Sequence, residues 1–242
     1  MTTPTNIVLP TLFSKSSLGL SQPQVELIER YVSLLLSWNQ KINLVSRKSA
    51  VGGEEDVWER HIVGSISFLA KFELEPNSKI LDLGTGGGLP GIPLAILMPD
   101  SEFMLVDSIQ KKITAVSDIL ENLHLPNVKT CVGRAEDLSQ QKEFHLRFDY
   151  VIARAVAPIK DIINWGKPFL KPIRQAPLPH EDQTGKKIIA RGSIVMLKGG
   201  DLTDEISAAK IKCKPVSIEI FDLPSPPDSV QLVDKKLVIV FP

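Results

Sequence analysis

A short, mostly apolar run, Lys79–Leu83, opens directly into Gly84-Thr85-Gly86-Gly87-Gly88, and a helix-forming stretch follows at Pro90–Met98. No other segment narrows the choice of fold as far. Glycine forfeits more conformational freedom on ordering than any other residue, so four in five positions mark a turn that needs backbone angles or close approaches closed to other residues. The helix that follows presents unpaired N–H groups at its first turn. A strand, a tight glycine turn and a helix together predict a site where a ligand meets backbone.

The chain around this unit keeps the same rhythm. From Ser78 onward, strands are predicted at Lys79–Leu83, Glu102–Asp107, Val128–Val132, Phe148–Ala153, Ser193–Lys198, Val216–Asp222 and Lys236–Phe241. Helical stretches fall between them at Pro90–Met98, Lys111–Leu123, Lys160–Leu170 and Asp204–Ile211. Such alternation implies a mainly parallel sheet with helices on both faces. A Pro-rich turn, Leu223–Asp228, lies between the last two runs, with no helical stretch predicted there to serve as a parallel crossover, so they pair as an antiparallel hairpin. The expectation is an α/β, Rossmann-like sheet of seven strands, mostly parallel, with an antiparallel last strand.

Residues 1–77 read as an N-terminal helical extension capping residues 78–242, the two forming one compact unit. Within the extension, residues 1–19 are rich in Thr, Pro and Ser and lack a period. Gln24–Asn39 places Val25, Ile28, Val32, Leu35 and Leu36 on one helical face. Ser21 and Gln24 make a capping box, with Pro23 in the first turn. A second helix is predicted from Glu54 to Lys71, acidic at its start as the helix dipole favours. The segment 171–191, with three prolines and one glycine, reads as a loop insertion.

Composition excludes several classes. At 242 residues, with 43% hydrophobic and 23% charged residues and a mean hydropathy of +0.06, the chain buries a sizeable core rather than remaining disordered. Formal net charge is zero, so any contact with nucleic acid depends on local basic clusters. One such cluster spans Lys160 to Arg191, with seven lysines and arginines against three acids, a net of +4; it reads equally as a phosphate contact or a solvated loop. Cys131 and Cys213 have no metal-ligand spacing and read as buried thiols in a reducing compartment; no metal is expected. No basic stretch precedes an apolar core at the N-terminus, and no apolar run nears the ~20 residues that span a bilayer. These features predict a soluble, cytoplasmic protein, read here as a monomer.

The glycine loop admits two ligands. Gly86-Gly87-Gly88-Leu89-Pro90-Gly91 satisfies the dinucleotide pattern G-x-G-x-x-G, and Asp107, near the end of the next strand, suits the ribose of NAD or of an adenosyl group. Three features favour S-adenosyl-L-methionine. Asp82, two residues before the first glycine, suits the methionine end of that cofactor and repels a pyrophosphate. Ala135-Glu136-Asp137 follows the third strand, where an adenine edge is held. Phe148–Ile152 followed by Ala153-Arg154 resembles the strand that ends at a methyl-transfer site. In this reading Asp107 accepts the ribose hydroxyls, and Ile109, after Ser108, covers an adenine face.

A longer string carries a more specific likeness. Asn43-Leu44 after Trp38-Asn39, Glu59-Arg60-His61-Ile62-Val63-Gly64-Ser65, Asp82 through Ala95, Val106-Asp107-Ser108, Gly133-Arg134-Ala135-Glu136, Ile152 through Ala157 and Leu197-Lys198-Gly199 resemble the ribosomal RNA small subunit methyltransferase G family, also called glucose-inhibited division protein B. The likeness runs from about Pro23 to Val240. It implies the class I methyltransferase fold and transfer of a methyl group to N7 of a guanine in 16S ribosomal RNA, at guanine 527, with the small ribosomal subunit as partner. It implies cofactor contacts at Gly84, Gly86, Leu89, Ala135, Glu136 and Arg154, with Asp107, Ser108 and Ile109 on the adenosine. The 171–191 segment is longer than the short link expected of that family.

N7 of guanine carries an in-plane lone pair and no proton, so its methylation needs no general base. The work is positioning and electrostatics. Candidates for positioning the substrate are Arg154 and Lys198, which follow strands whose C-terminal ends converge on the crevice, together with His61, Arg60 and Asn43. Trp38, Trp58 and Trp165 are candidate base-stacking residues, although Trp38 and Trp58 lie in amphipathic helices that favour the core. The same sheet also hosts small-molecule and protein methyltransferases and noncatalytic nucleotide-binding regulators, which remain the alternatives.

Overall fold

The computed structural model describes residues 20–46, 53–154, 156–172, 180–181, 185–223 and 234–242. Strand β2 (Lys79–Leu83) is buried along nearly its whole length because it lies at the middle of the main sheet. It pairs in parallel with β3 (Glu102–Asp107) on one side and β5 (Tyr150–Arg154) on the other. Beyond β3 lies β4 (Val128–Val132), and beyond β5 lies β8 (Ser193–Gly199), both parallel to their neighbours. β10 (Lys235–Phe241) runs antiparallel to β8, and β9 (Ser217–Asp222) closes the edge antiparallel to β10. The order is therefore β4-β3-β2-β5-β8-β10-β9, the seven-stranded class I arrangement expected from the sequence. Because the chain moves outward from β2 first to one side and then to the other, a topological switch point lies between β2 and β5, and ligands in such sheets bind beyond the strand C-termini there.

Two apolar layers sandwich the sheet. On one face, α1 (Gln22–Asn39) contributes Ile28, Tyr31, Val32 and Leu35 to a continuous cluster with Ile92, Leu94, Val116 and Ile119 of the helices Gly91–Leu97 and Gln110–Leu123. On the other, Ile159, Ile162 and Ile163 of helix Ile159–Gly166 pack with Val151, Ile194 and Val238 of the sheet. The N-terminal helix thus shares its core with the first two crossover helices, and the Trp38 indole donates to Asp118 Oδ2 across that contact (2.7 Å). Trp58 is buried in the same cluster. α1 starts two residues before the predicted Gln24, with Ser21 as its cap: the Ser21 N–H donates to Gln24 Oε1 (2.9 Å).

Four expectations are corrected. Residues 54–71 do not form one helix: a short α-helix, Gly53–Val57, passes into a π-helical turn, Trp58–Val63, then Gly64–Ile66 and a 3-10 turn, Ser67–Ala70. In the π turn the Arg60 and His61 carbonyls face Arg154, which donates to both. β5 starts at Tyr150 rather than Phe148, because Asp149 is spent on the turn, exchanging bonds with the Lys79 backbone. The described part of the 171–191 segment is not all loop: β7 (Lys187–Ile189) pairs in parallel with β1 (Phe72–Leu74) and antiparallel with β6 (His180–Glu181). These strands of two or three residues are too short to show a period. The two cysteines are free and half-buried rather than buried. Residues 1–19, 47–52, 155, 173–179, 182–184 and 224–233 lie outside the described residues, and with them the Thr/Pro/Ser-rich start and most of the Pro-rich turn.

Candidate cofactor crevice and its polar wall

The glycine turn is built by bonds that consume its own donors. The Gly84 and Thr85 N–H groups donate to Val106 O (2.8 and 2.9 Å), tying the turn to the end of β3. Gly88 and Leu89 donate to Thr85 O, and Ile92 to Gly88 O. Gly86 donates to Asp107 Oδ2 (3.0 Å) and Gly91 to Asp82 Oδ2 (2.9 Å). Gly84 has φ +76°, and a Cβ there would meet Val156 Cγ1 at 2.7 Å. Gly87 faces α1 so closely that a Cβ would lie 2.8 Å from Leu35 Cδ1, and its carbonyl accepts the buried Tyr31 hydroxyl (2.9 Å). The N-terminal helix therefore braces the loop from behind, a role the sequence reading did not give Tyr31.

A crevice of about 500 Å³ opens over this turn, beyond the C-terminal ends of β2, β3 and β5, a volume usual for small-ligand sites. Gly84, Gly86, Leu89, Asp107, Ser108, Ile109, Ala135, Glu136, Arg154 and His61 all line it, as the sequence reading proposed. Asp107 accepts from the Ile109 N–H through Oδ1 (2.9 Å) and lies 3.7 Å from Lys112 Nζ. Ile109 is 46% exposed, an apolar side chain at the mouth. Leu44, Val45, Ser46, Lys112, Arg134, Val156 and Trp165 complete the wall. Of these, Trp165 alone is a candidate contact in the sequence reading; Leu44, Arg134 and Val156 fall only within the strings that carry the family resemblance. The Leu44 and Val45 N–H groups donate to Asn39 Oδ1 (2.8 and 3.0 Å), so Asn39 holds that wall in place.

Four predicted residues stand elsewhere, among them Arg60, which pairs with Asp56 (3.3 Å) outside the lining. Asp82 does not reach the crevice: it is fully buried, with Oδ2 accepting from Thr85 Oγ1 (2.7 Å) and Gly91, and it holds the turn from inside. Burial lifts its carboxyl to about 7, and Oδ1 has no partner among the described residues. Lys198 is committed to Glu205 (2.8 Å) and to Ala157 O (2.9 Å), and lies outside the crevice. Asn43 is exposed and outside the lining, its neighbour Leu44 entering instead. Within the basic 160–191 segment, Lys171 and Arg191 pair with Asp149 and Glu75 near the opposite, N-terminal end of the strands.

Arg154 organises the polar end. Nη1 donates to His61 O and Ser65 Oγ (both 2.9 Å), and Nη2 donates to Arg60 O (3.1 Å) and His61 Nδ1 (2.8 Å). Because Nδ1 accepts, the His61 proton sits on Nε2. Burial first, then the Arg154 charge, pushes His61 down to about 3, so the ring is neutral at physiological pH. Its Nε2 donor has no partner among the described residues. Burial also lowers Arg154 to about 10, which leaves it cationic. Among the described residues no group of three or more His, Cys, Asp or Glu is placed to hold a metal ion, and no helix is long and apolar enough to cross a membrane.

The turn can thus hold a nucleoside through Asp107 and its backbone, but seven of its N–H groups are already spent and offer no row of donors to a pyrophosphate. Comparison with known proteins agrees. A family model described as rRNA small subunit methyltransferase G matches residues 24–177. The ribosomal RNA small subunit methyltransferase G of Christiangramia forsetii is 39% identical over 195 residues, covering 81% of this chain and 82% of the relative. That of Cytophaga hutchinsonii is 38% identical over 188 residues, covering 77% and 80%. Among solved structures, one described as a predicted O-methyltransferase from Agrobacterium tumefaciens superposes with a TM-score of 0.52 at 16% identity, covering 74% of this chain and 79% of that one, a likeness of fold alone.

Proposed function

The chain belongs to the ribosomal RNA small subunit methyltransferase G family, and on that premise we propose that its crevice binds S-adenosyl-L-methionine for transfer of a methyl group to N7 of a guanine in 16S ribosomal RNA. The observation that carries the cofactor assignment is the donor count of the glycine turn: its N–H groups serve the protein, while Asp107 faces the crevice. A carboxylate there suits paired ribose hydroxyls, and Ile109 suits an adenine face. Ala135 and Glu136, at the start of the short helix Ala135–Leu138, are assigned the adenine edge. When bound, the cofactor supplies an electrophilic methyl on a sulfonium.

The protein's part is orientation. Guanine N7 loses no proton, so none of these side chains acts as a base. Arg154 fixes the His61 ring and its tautomer, and His61 Nε2–H is a desolvated donor matched to guanine O6, the acceptor beside N7. Trp165, half-buried in the same wall, is assigned to stacking. The protein is proposed to act as a monomer in the cytoplasm, on RNA of the small ribosomal subunit.

Calorimetry and label transfer test this reading together. The expected result is binding of S-adenosyl-L-methionine and no binding of NAD, with label from the methyl donor entering small-subunit RNA. NAD binding without donor binding, or label entering only proteins or metabolites, would refute it.

A further inference from the structure

A second cleft, of about 220 Å³, adjoins the crevice and shares Arg154 with it. Its charged lining is entirely cationic: Arg60 from the π turn, Arg154 from the end of β5, Lys198 from the end of β8 and Lys235 from the start of β10. Two of these have carboxylate partners, Arg60 with Asp56 (3.3 Å) and Lys198 with Glu205 (2.8 Å). Arg154 bonds only neutral groups, and among the described residues Lys235 has no carboxylate within ion-pair distance. The backbone makes room for that lysine. Antiparallel pairing sets Lys235 opposite Gly199, and a Cβ on Gly199 would lie 3.2 Å from Lys235 Nζ and 3.4 Å from its Cδ. A side chain at 199 would therefore crowd the one that delivers the charge.

In a chain of zero net charge, this cluster stands out because it is assembled from four separate elements at the strand C-termini, beside the site of reaction. We propose that the cleft holds a backbone phosphodiester of the RNA strand that carries the target guanine, next to the nucleotide entering the crevice. The inference rests on the methyl-transfer reading above and adds to it the group that docks the strand. A compact anion with several acceptor oxygens suits lysine as a point charge and the guanidinium charge behind it. Neutralising a phosphate also releases counterions, so the contact has a salt signature that a structural role for Lys235 lacks.

The test uses the full chain, labelled methyl donor and small ribosomal subunits lacking the modification. Lys235→Ala is expected to raise KM for subunits about tenfold with kcat and donor affinity unchanged. It also makes the slope of log(kcat/KM) against log salt shallower by about 1. Lys235→Arg restores both, Gly199→Val reproduces the defect by displacing Lys235, and the exposed Lys210→Ala matches wild type. Identical KM and salt slope for wild type and Lys235→Ala, with wild type active, would overturn the cleft assignment alone. A wild-type protein that binds the donor yet leaves subunits unmethylated would instead remove the substrate reading beneath it.

Discussion

Replacing Arg154 with methionine probes the polar wall at nearly constant side-chain length. The guanidinium serves two backbone carbonyls, the Ser65 hydroxyl and His61 Nδ1. Stripping a buried acceptor of its partner costs about 1–3 kcal/mol, and such costs are not additive within one network, so Arg154→Met should lose about 3–5 kcal/mol in total. That is a large share of the ~5–15 kcal/mol that holds a typical domain together. The same change acts on His61, held at about 3 by burial first and Arg154 second. Without the cation the imidazole should titrate higher yet stay below its ordinary 6.5, because burial persists; Arg154→Lys should leave it near 3. The sign follows for stability. A histidine depressed in the fold contributes stability that is present above about 6.5 and lost as pH falls toward 3, so Arg154→Met should lose less on acidification than wild type. Urea unfolding at neutral and acid pH, with imidazole resonances of the four histidines followed by NMR and His61 assigned through His61→Gln, reads both effects. A wild-type His61 titrating near 6.5, or one indifferent to Arg154→Met, would refute the network.

Asp107→Ala should weaken S-adenosyl-L-methionine binding by about 1–3 kcal/mol in calorimetry; unchanged affinity would place the adenosine elsewhere. Asp82, raised to about 7 by burial, contributes stability present below 3.8 and lost as pH rises through 7. Asp82→Asn should therefore flatten the fall in stability, read as melting temperature, between about pH 4 and 7 that this group causes, and an equal change in both proteins would contradict the assignment. Gly84→Ala should cost ~1–2 kcal/mol for its left-handed backbone plus ~1–3 kcal/mol for the collision with Val156. Adding Val156→Ala should return only the second part, as a double-mutant cycle in urea would show.

The sheet was legible because its signals are local. Lys79–Leu83, Glu102–Asp107 and Val128–Val132 form strands at the residues read from the sequence, and the Pro-rich link before β10 pointed to its reversal. The crevice lining was legible where glycines and carboxylates sit at strand ends, as at Gly84 and Asp107. What sequence could not reveal depends on long-range packing. Tyr31 reads as a helix core residue, and only the fold brings its hydroxyl to Gly87, 56 positions away. Asp82 carries the right charge in the right register, but its side chain turns inward to Thr85 and Gly91. Lys198 looked like a free cation at a strand end until Glu205, from the next helix, came within 2.8 Å. Cations grouped in one segment of the sequence, such as Lys171 and Arg191, proved distant from the crevice, while Lys235 reached the adjoining cleft through strand pairing. The break in the Glu54–Lys71 helix involves a long-range partner, Arg154, some 90 residues later, which donates to the Arg60 and His61 carbonyls of the π turn.

The most direct measurement is the position of the methyl group itself. Small subunits lacking the modification are incubated with the protein and S-adenosyl-L-methionine, and the extracted RNA is cleaved by chemistry that acts only at 7-methylguanine. The account predicts one new cleavage, at a single guanine of 16S RNA, absent when the donor is omitted. Methyl incorporation that yields no such cleavage, or none at all from a protein saturated with donor, would contradict it.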